Sequence, residues 1–95
     1  GLGDVYKRQS FDPAKQAINV AKHGIFFSEA IAFDWEKALL HPDNRRAYGE
    51  SRFVAIAPIG SRLHVMVFTL RETSVRIISL RKANRREAKH YADHH

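Results

Sequence analysis

Ninety-five residues, 44% apolar and 11% aromatic, suffice for one two-layered core and are too few for a second, and 27% charged residues is ordinary for a folded chain rather than a disordered one. Sixteen Lys and Arg against ten Asp and Glu give a formal charge of +6, which points toward an anionic partner. The absence of cysteine excludes disulfides, thiolate catalysis and thiolate zinc sites, and no apolar run approaches the roughly 20 residues that span a bilayer.

In chain order, the opening GLGDVYKRQ reads as an adapter-like, non-native segment, so Gly1 to Gln9 are kept out of functional reasoning and a single domain is expected over residues 10–95. A ragged strand is expected at Gln9 to Phe11. Asp12-Pro13 then starts a helix, with Asp as N-cap and Pro in the first turn. The helix runs to about His23, with Ala17, Ile18 and Ala21 on its inner face, Lys15, Asn19 and Lys22 pointing elsewhere, and Gly24 as the left-handed terminator. Ser28 caps a second short helix, EAIAFDWE, in which Ile31 and Trp35 are spaced to bury together.

The period then changes. KALLHP, RFVAIAP, RLHVMVFTL and VRIISLR are short β-rich runs divided by turn signals at Pro42 to Asn44, Pro58 to Ser61 and Arg71 to Ser74, the pattern of an antiparallel meander. Asn84 with Glu87 three residues later forms a capping box that opens a last helix, RREAKHYADHH. The expected class is α+β: a small antiparallel sheet with two N-terminal helices and one C-terminal helix over one face.

Chemistry-bearing residues cluster unevenly. Residues 71–95 hold seven cations against three acids, a local net charge of +4. DNRRAYGESR places Arg45, Arg46, Tyr48, Glu50 and Arg52 close together, types able to grip phosphate, stack on a base and move a proton. On RLHVMVFTL, alternation puts Leu63, Val65, Val67 and Thr69 on one face and Arg62, His64, Met66 and Phe68 on the other, so His64 reads as a packed residue. On VRIISLR the same alternation puts Val75, Ile77, Ser79 and Arg81 opposite Arg76, Ile78, Leu80 and Lys82. Arg81 is then the cation that leaves a covered face at the strand's end, and Arg76 and Arg81 lie on opposite faces. His90 and His94 are the one histidine pair at ligand spacing, and no nucleotide-binding loop or serine-hydrolase motif is present, so no cofactor and no metal are expected.

FDPAKQAINVAKHGIFFSEA, DNRRAYGESR and RIISLRKANRREAKHY together resemble the BrnT toxins of bacterial type II toxin-antitoxin modules, over residues 11–91. The resemblance rests on a Lys-His-Gly helix end, an Arg-Xaa-Xaa-Tyr-Gly-Glu-Xaa-Arg segment and a closing Arg-Ile-Ile-Ser-Xaa-Arg-Lys-Ala. It implies a RelE-like fold, metal-free RNA cleavage that arrests translation in the cytoplasm, and a BrnA-like ribbon-helix-helix antitoxin with which the toxin binds operator DNA. Under this resemblance Arg81, with Arg52 or Arg76, is expected to stabilise the phosphate and Glu50, His23 or Tyr91 to transfer protons. Arg46, Tyr48, Lys82 and Lys22 would help bind RNA, and Phe26, Phe27 and Trp35 are read as core or as an antitoxin-facing patch. The competing reading is a non-catalytic module that uses the same cations as a phosphate clamp.

Overall fold

The computed structural model describes residues 8–45 and 49–94. Among them are five strands and two α-helices: β1 (Gln9–Phe11), α1 (Pro13–His23), β2 (Leu39–Pro42), β3 (Phe53–Ile59), β4 (Arg62–Arg71), β5 (Ser74–Lys82) and α2 (Arg85–His94). The strands form one sheet in the order β1-β5-β4-β3-β2. β2 to β5 are the expected antiparallel meander, but β1 runs parallel to β5, so the sheet is mixed.

The expected second helix is instead two 3₁₀ segments, Phe27–Ala32 and Trp35–Lys37. With three residues per 3₁₀ turn, the positions facing inward are Phe27, Ala30 and Phe33, all buried, and Ile31 is left 88% exposed rather than packed on Trp35. Trp35 instead sets its ring edge-on against Phe33 and Phe68. These segments cover the sheet face that carries Ala55, Ala57, Met66, Phe68, Val75, Ile77 and Leu80, the main core. His64 packs on this side, its Nδ1–H donating to the Arg62 carbonyl at 2.9 Å.

α1 begins and ends as its sequence dictates. The Asp12 carboxylate accepts from the Ala14 N–H at 2.9 Å, and Gly24 takes φ 70° with its N–H donating to the Val20 carbonyl. Its inner face is not the predicted one. Ile18 is 56% exposed and Asn19 is buried, because the helix seals a strand edge rather than an apolar surface. β1 is only three residues long, and beyond it β5 would expose its backbone. The Asn19 amide takes over there, donating to the Leu80 carbonyl at 2.7 Å and accepting from the Leu80 N–H at 3.0 Å, as a neighbouring strand would. Its Nδ2 also donates to the Ile25 carbonyl, and Gln16 Oε1 accepts from the Phe27 N–H, which fixes the chain leaving the helix.

A bulge interrupts β5. Phe68 pairs with Ile77 and Val67 with Ser79, so Ile78 is an extra residue and every side chain after it changes face. Arg76 pairs with Thr69 and Arg81 with Val65, two positions that share one face of β4. Arg76 and Arg81 are therefore on the same side of the sheet, not on opposite sides, and Arg81 stands on the face opposite Ile77 and Leu80. α2 borders that second face, where Ile56, Val65 and Ala83 form a smaller cluster joined by Val54, Leu63 and Tyr91. Helical elements thus flank both faces rather than one.

Candidate functional site

The second sheet face carries an open cleft of about 410 Å³. Its floor is Val54, Ile56, Val65 and Val67, which register places side by side on β3 and β4. One wall is α2 with Arg86, Glu87 and His90, and the other is the end of β2 and the residues after it, with His41, Asp43 and Arg45. Arg81 enters from β5 at the row that Ile56 and Val65 begin.

Each wall has a local cause. Asn84 and Glu87 form the expected capping box, the Asn84 Oδ1 accepting from the Glu87 N–H at 2.8 Å and the Glu87 carboxylate accepting from the Asn84 N–H at 2.9 Å. That anchors the first turn of α2, and spacings of three and four residues then bring Arg86, Glu87 and His90 to the cleft. Tyr91 packs on the small cluster and donates its hydroxyl to the Lys37 carbonyl at 2.7 Å, which ties the far end of α2 to the second 3₁₀ segment. On the other wall the buried Asp43 carboxylate accepts from Arg45 Nε at 2.8 Å and Nη2 at 2.9 Å, and the Asp43 N–H continues the β2–β3 ladder to the Arg52 carbonyl.

The central contact is a two-pronged ion pair. Arg81 Nη1 and Nη2 donate to the two Glu87 carboxylate oxygens at 2.7 and 2.6 Å. The pair shifts both groups toward their charged forms. Hydrogen bonding from Arg81, helped by the Asn84 N–H and opposed by burial, holds Glu87 below the ordinary carboxylate range, and the same bond raises Arg81 above its usual value. Burial, with Asp34 nearby, pushes the Tyr91 phenol up. An apolar floor beneath charged walls strengthens any interaction with an entering anion.

Of the ten site residues named from sequence, Arg81 lines this cleft. Arg46 and Tyr48 lie outside the described residues. Arg76 lies on the cleft side of the sheet, and Arg52 immediately precedes β3, two residues before Val54, both outside the lining. Tyr91 braces α2. Glu50 is exposed and paired with Arg71 at 3.3 Å. Lys22 and His23 border a separate groove of about 300 Å³ with Lys15 and Ser79, and Lys82, paired with His64, faces the opposite side. Sequence reasoning missed His41, Asp43, Glu87 and Arg86 as members of a common site. Register could have found His41, since it pairs with Val54 as Val54 pairs with Val67, but the bulge that turns Arg81 toward them has no sequence signature. Among the described residues no three His, Asp or Glu side chains are grouped to hold a metal ion, and no helix is long and apolar enough to cross a membrane.

No curated protein matches the chain. Residues 11–87 match the family described as the ribonuclease toxin, BrnT, of type II toxin-antitoxin systems, a span that takes in β4, β5 and the Arg81–Glu87 pair. With an α+β fold and a basic cleft already in view, the chain belongs to the BrnT family of type II toxin-antitoxin ribonuclease toxins.

Proposed function

We propose that this toxin cleaves RNA in the cleft between α2 and the sheet, by transesterification that needs no metal ion. The observation that supports it is the convergence of Arg81, Arg86 and Arg45 on a floor of four aliphatic side chains. Metal-free cleavage needs cations at the phosphate, where charge builds on the non-bridging oxygens of the pentacoordinate state, and groups that move two protons. Arg81 is the phosphate-binding group in this reading: its guanidinium already meets a carboxylate with two nitrogens, and a phosphate presents the same pair of acceptors. The valine and isoleucine floor gives a base or ribose an apolar surface to lie on.

The family setting extends the reading to the cell. The toxin acts in the cytoplasm, has a RelE-like fold, and arrests translation by cutting RNA. A BrnA-like ribbon-helix-helix antitoxin neutralises it, and the pair binds operator DNA. Phe27 is buried in the core, so Phe26, 54% exposed, is the candidate apolar contact for that antitoxin.

The experiment is direct. The purified toxin, incubated with RNA in EDTA, should yield fragments ending in 2′,3′-cyclic phosphate, and Arg81→Ala should lower the rate by roughly 10²-fold or more. Intact RNA at high toxin concentration, with binding retained, would instead make the protein a phosphate clamp.

A further inference from the structure

The geometry points to His41 and His90 as the general base and the general acid of this toxin, acting as a pair across the mouth of the cleft. The inference rests on the reading of the cleft as the RNA-cleaving site and assigns the proton transfers within it. The two imidazoles come from different elements, β2 and α2, and both line the cleft that Arg81 enters. Their ring centroids are 6.4 Å apart and their planes perpendicular. A phosphate held between them would have its attacking 2′-oxygen near one ring and its leaving 5′-oxygen near the other, as in-line displacement requires, since those two oxygens lie on opposite sides of phosphorus.

The hydrogen bonding separates the roles. His41 Nδ1 is 3.2 Å from the Pro42 carbonyl oxygen, and a carbonyl only accepts, so Nδ1 carries the proton. In the neutral ring this leaves the lone pair on Nε2, the arrangement of a base held in one tautomer by its backbone. His90 is then the proton donor. It stands three residues after Glu87 and four after Arg86 on the cleft-facing stripe of α2, with the His94 ring 4.4 Å beyond it.

The step balances. His41 Nε2 takes the proton of the 2′-hydroxyl as the 2′-oxygen bonds to phosphorus. The bond from phosphorus to the 5′-oxygen breaks, and that oxygen takes the proton of the His90 imidazolium. The products are a 2′,3′-cyclic phosphate and a free 5′-hydroxyl, with Arg81 on the non-bridging oxygens throughout. Water reverses the proton positions when it opens the cyclic phosphate.

The test uses the whole toxin in EDTA with two RNA substrates, one ordinary and one with sulfur in place of the 5′-oxygen at the cleavage site. A thiolate leaves without a proton, so the acid is dispensable for the second substrate. His41→Ala and His90→Ala should each slow cleavage of the ordinary RNA by roughly 10²- to 10⁴-fold. Their circular dichroism, and their binding of RNA whose 2′-hydroxyls are methylated, should stay near those of the unsubstituted toxin. The sulfur substrate should restore His90→Ala to nearly the unsubstituted rate and leave His41→Ala slow. Unchanged rates in either variant, or a slow His90→Ala that sulfur does not restore, overturns the assignment while leaving the cleft as the cleavage site. If the unsubstituted toxin leaves RNA intact in EDTA, the reading of the cleft falls and this assignment falls with it.

Discussion

Arg81 meets Glu87 through both of its terminal nitrogens, so the guanidinium proposed to hold the phosphate already holds a carboxylate. In the proposed reading of the cleft, an entering RNA must displace Glu87 or share Arg81 with it. Glu87→Gln removes the competing charge and keeps the cap, since Gln serves as well as Glu at the third position of a capping box. Binding of uncleavable, 2′-O-methylated RNA should therefore tighten by roughly fivefold, about 1 kcal/mol, as fluorescence anisotropy would report. The same change should lower stability. The Arg81 and Glu87 side chains are 32% and 23% exposed, so solvent screens the pair only in part, and its loss should cost about 1 to 2 kcal/mol by urea unfolding. The sign with pH follows from the depressed Glu87 carboxyl. The unfolded chain binds its proton more readily than the folded one, so this stabilisation is complete above the ordinary carboxylate range and fades as pH falls through the folded value. The acid limb of the stability curve should consequently be shallower in Glu87→Gln than in the unsubstituted toxin.

Strand β5 and helix α1 together aim Arg81, and both depart from simple periodicity. The bulge at Ile78 moves Arg81 from the core face to the cleft, and Asn19 holds the strand just past that bulge by pairing with Leu80. Asn19→Ala would leave a buried N–H and carbonyl of Leu80, and the Ile25 carbonyl, without their partner. The expected cost is roughly 2 to 4 kcal/mol in urea or thermal unfolding. Asn19→Asp keeps the acceptor and loses the donor, so it should not rescue the fold. Tyr91→Phe tests the other support: it removes the bond to Lys37 and should cost about 0.5 to 1.5 kcal/mol while keeping the ring in place. The burial-raised phenol makes that contribution complete below the ordinary tyrosine range and lost as pH rises through the folded value, so alkaline unfolding should move least in the Phe variant. These elements also mark how far sequence reads. Caps at Asp12, Gly24 and Asn84, and four strands with their turns, were legible because each has a local chemical cause. The face of α1 was not, since its inward residue is polar and serves an edge sixty-one positions away. The cleft was legible at Arg81 and Arg45 but not as one site, because its walls meet through register and a bulge, which are properties of the folded sheet.

At the scale of the whole molecule, the formal charge of +6 attracts RNA from any direction, and in the proposed reading the cleft gives that attraction a geometry. The two contributions differ in their response to salt. A cation that touches a phosphate releases a condensed counterion, so the logarithm of affinity for a single strand falls with the logarithm of salt by about 0.7 per phosphate contact. A cation elsewhere on the surface adds a screened field and no such unit step. Arg86 lines the cleft and, among the described residues, has no ion-pair partner, whereas Lys89 on the same helix is 3.1 Å from Asp93 and is absent from the cleft lining. Arg86→Gln and Lys89→Gln remove the same charge from the same helix. Titrations of 2′-O-methylated RNA at several salt concentrations should show the slope reduced by about 0.7 in Arg86→Gln and unchanged in Lys89→Gln. Equal reductions in the two would mean that RNA is held by the general field of a basic surface, and the cleft would lose its claim to be the binding site.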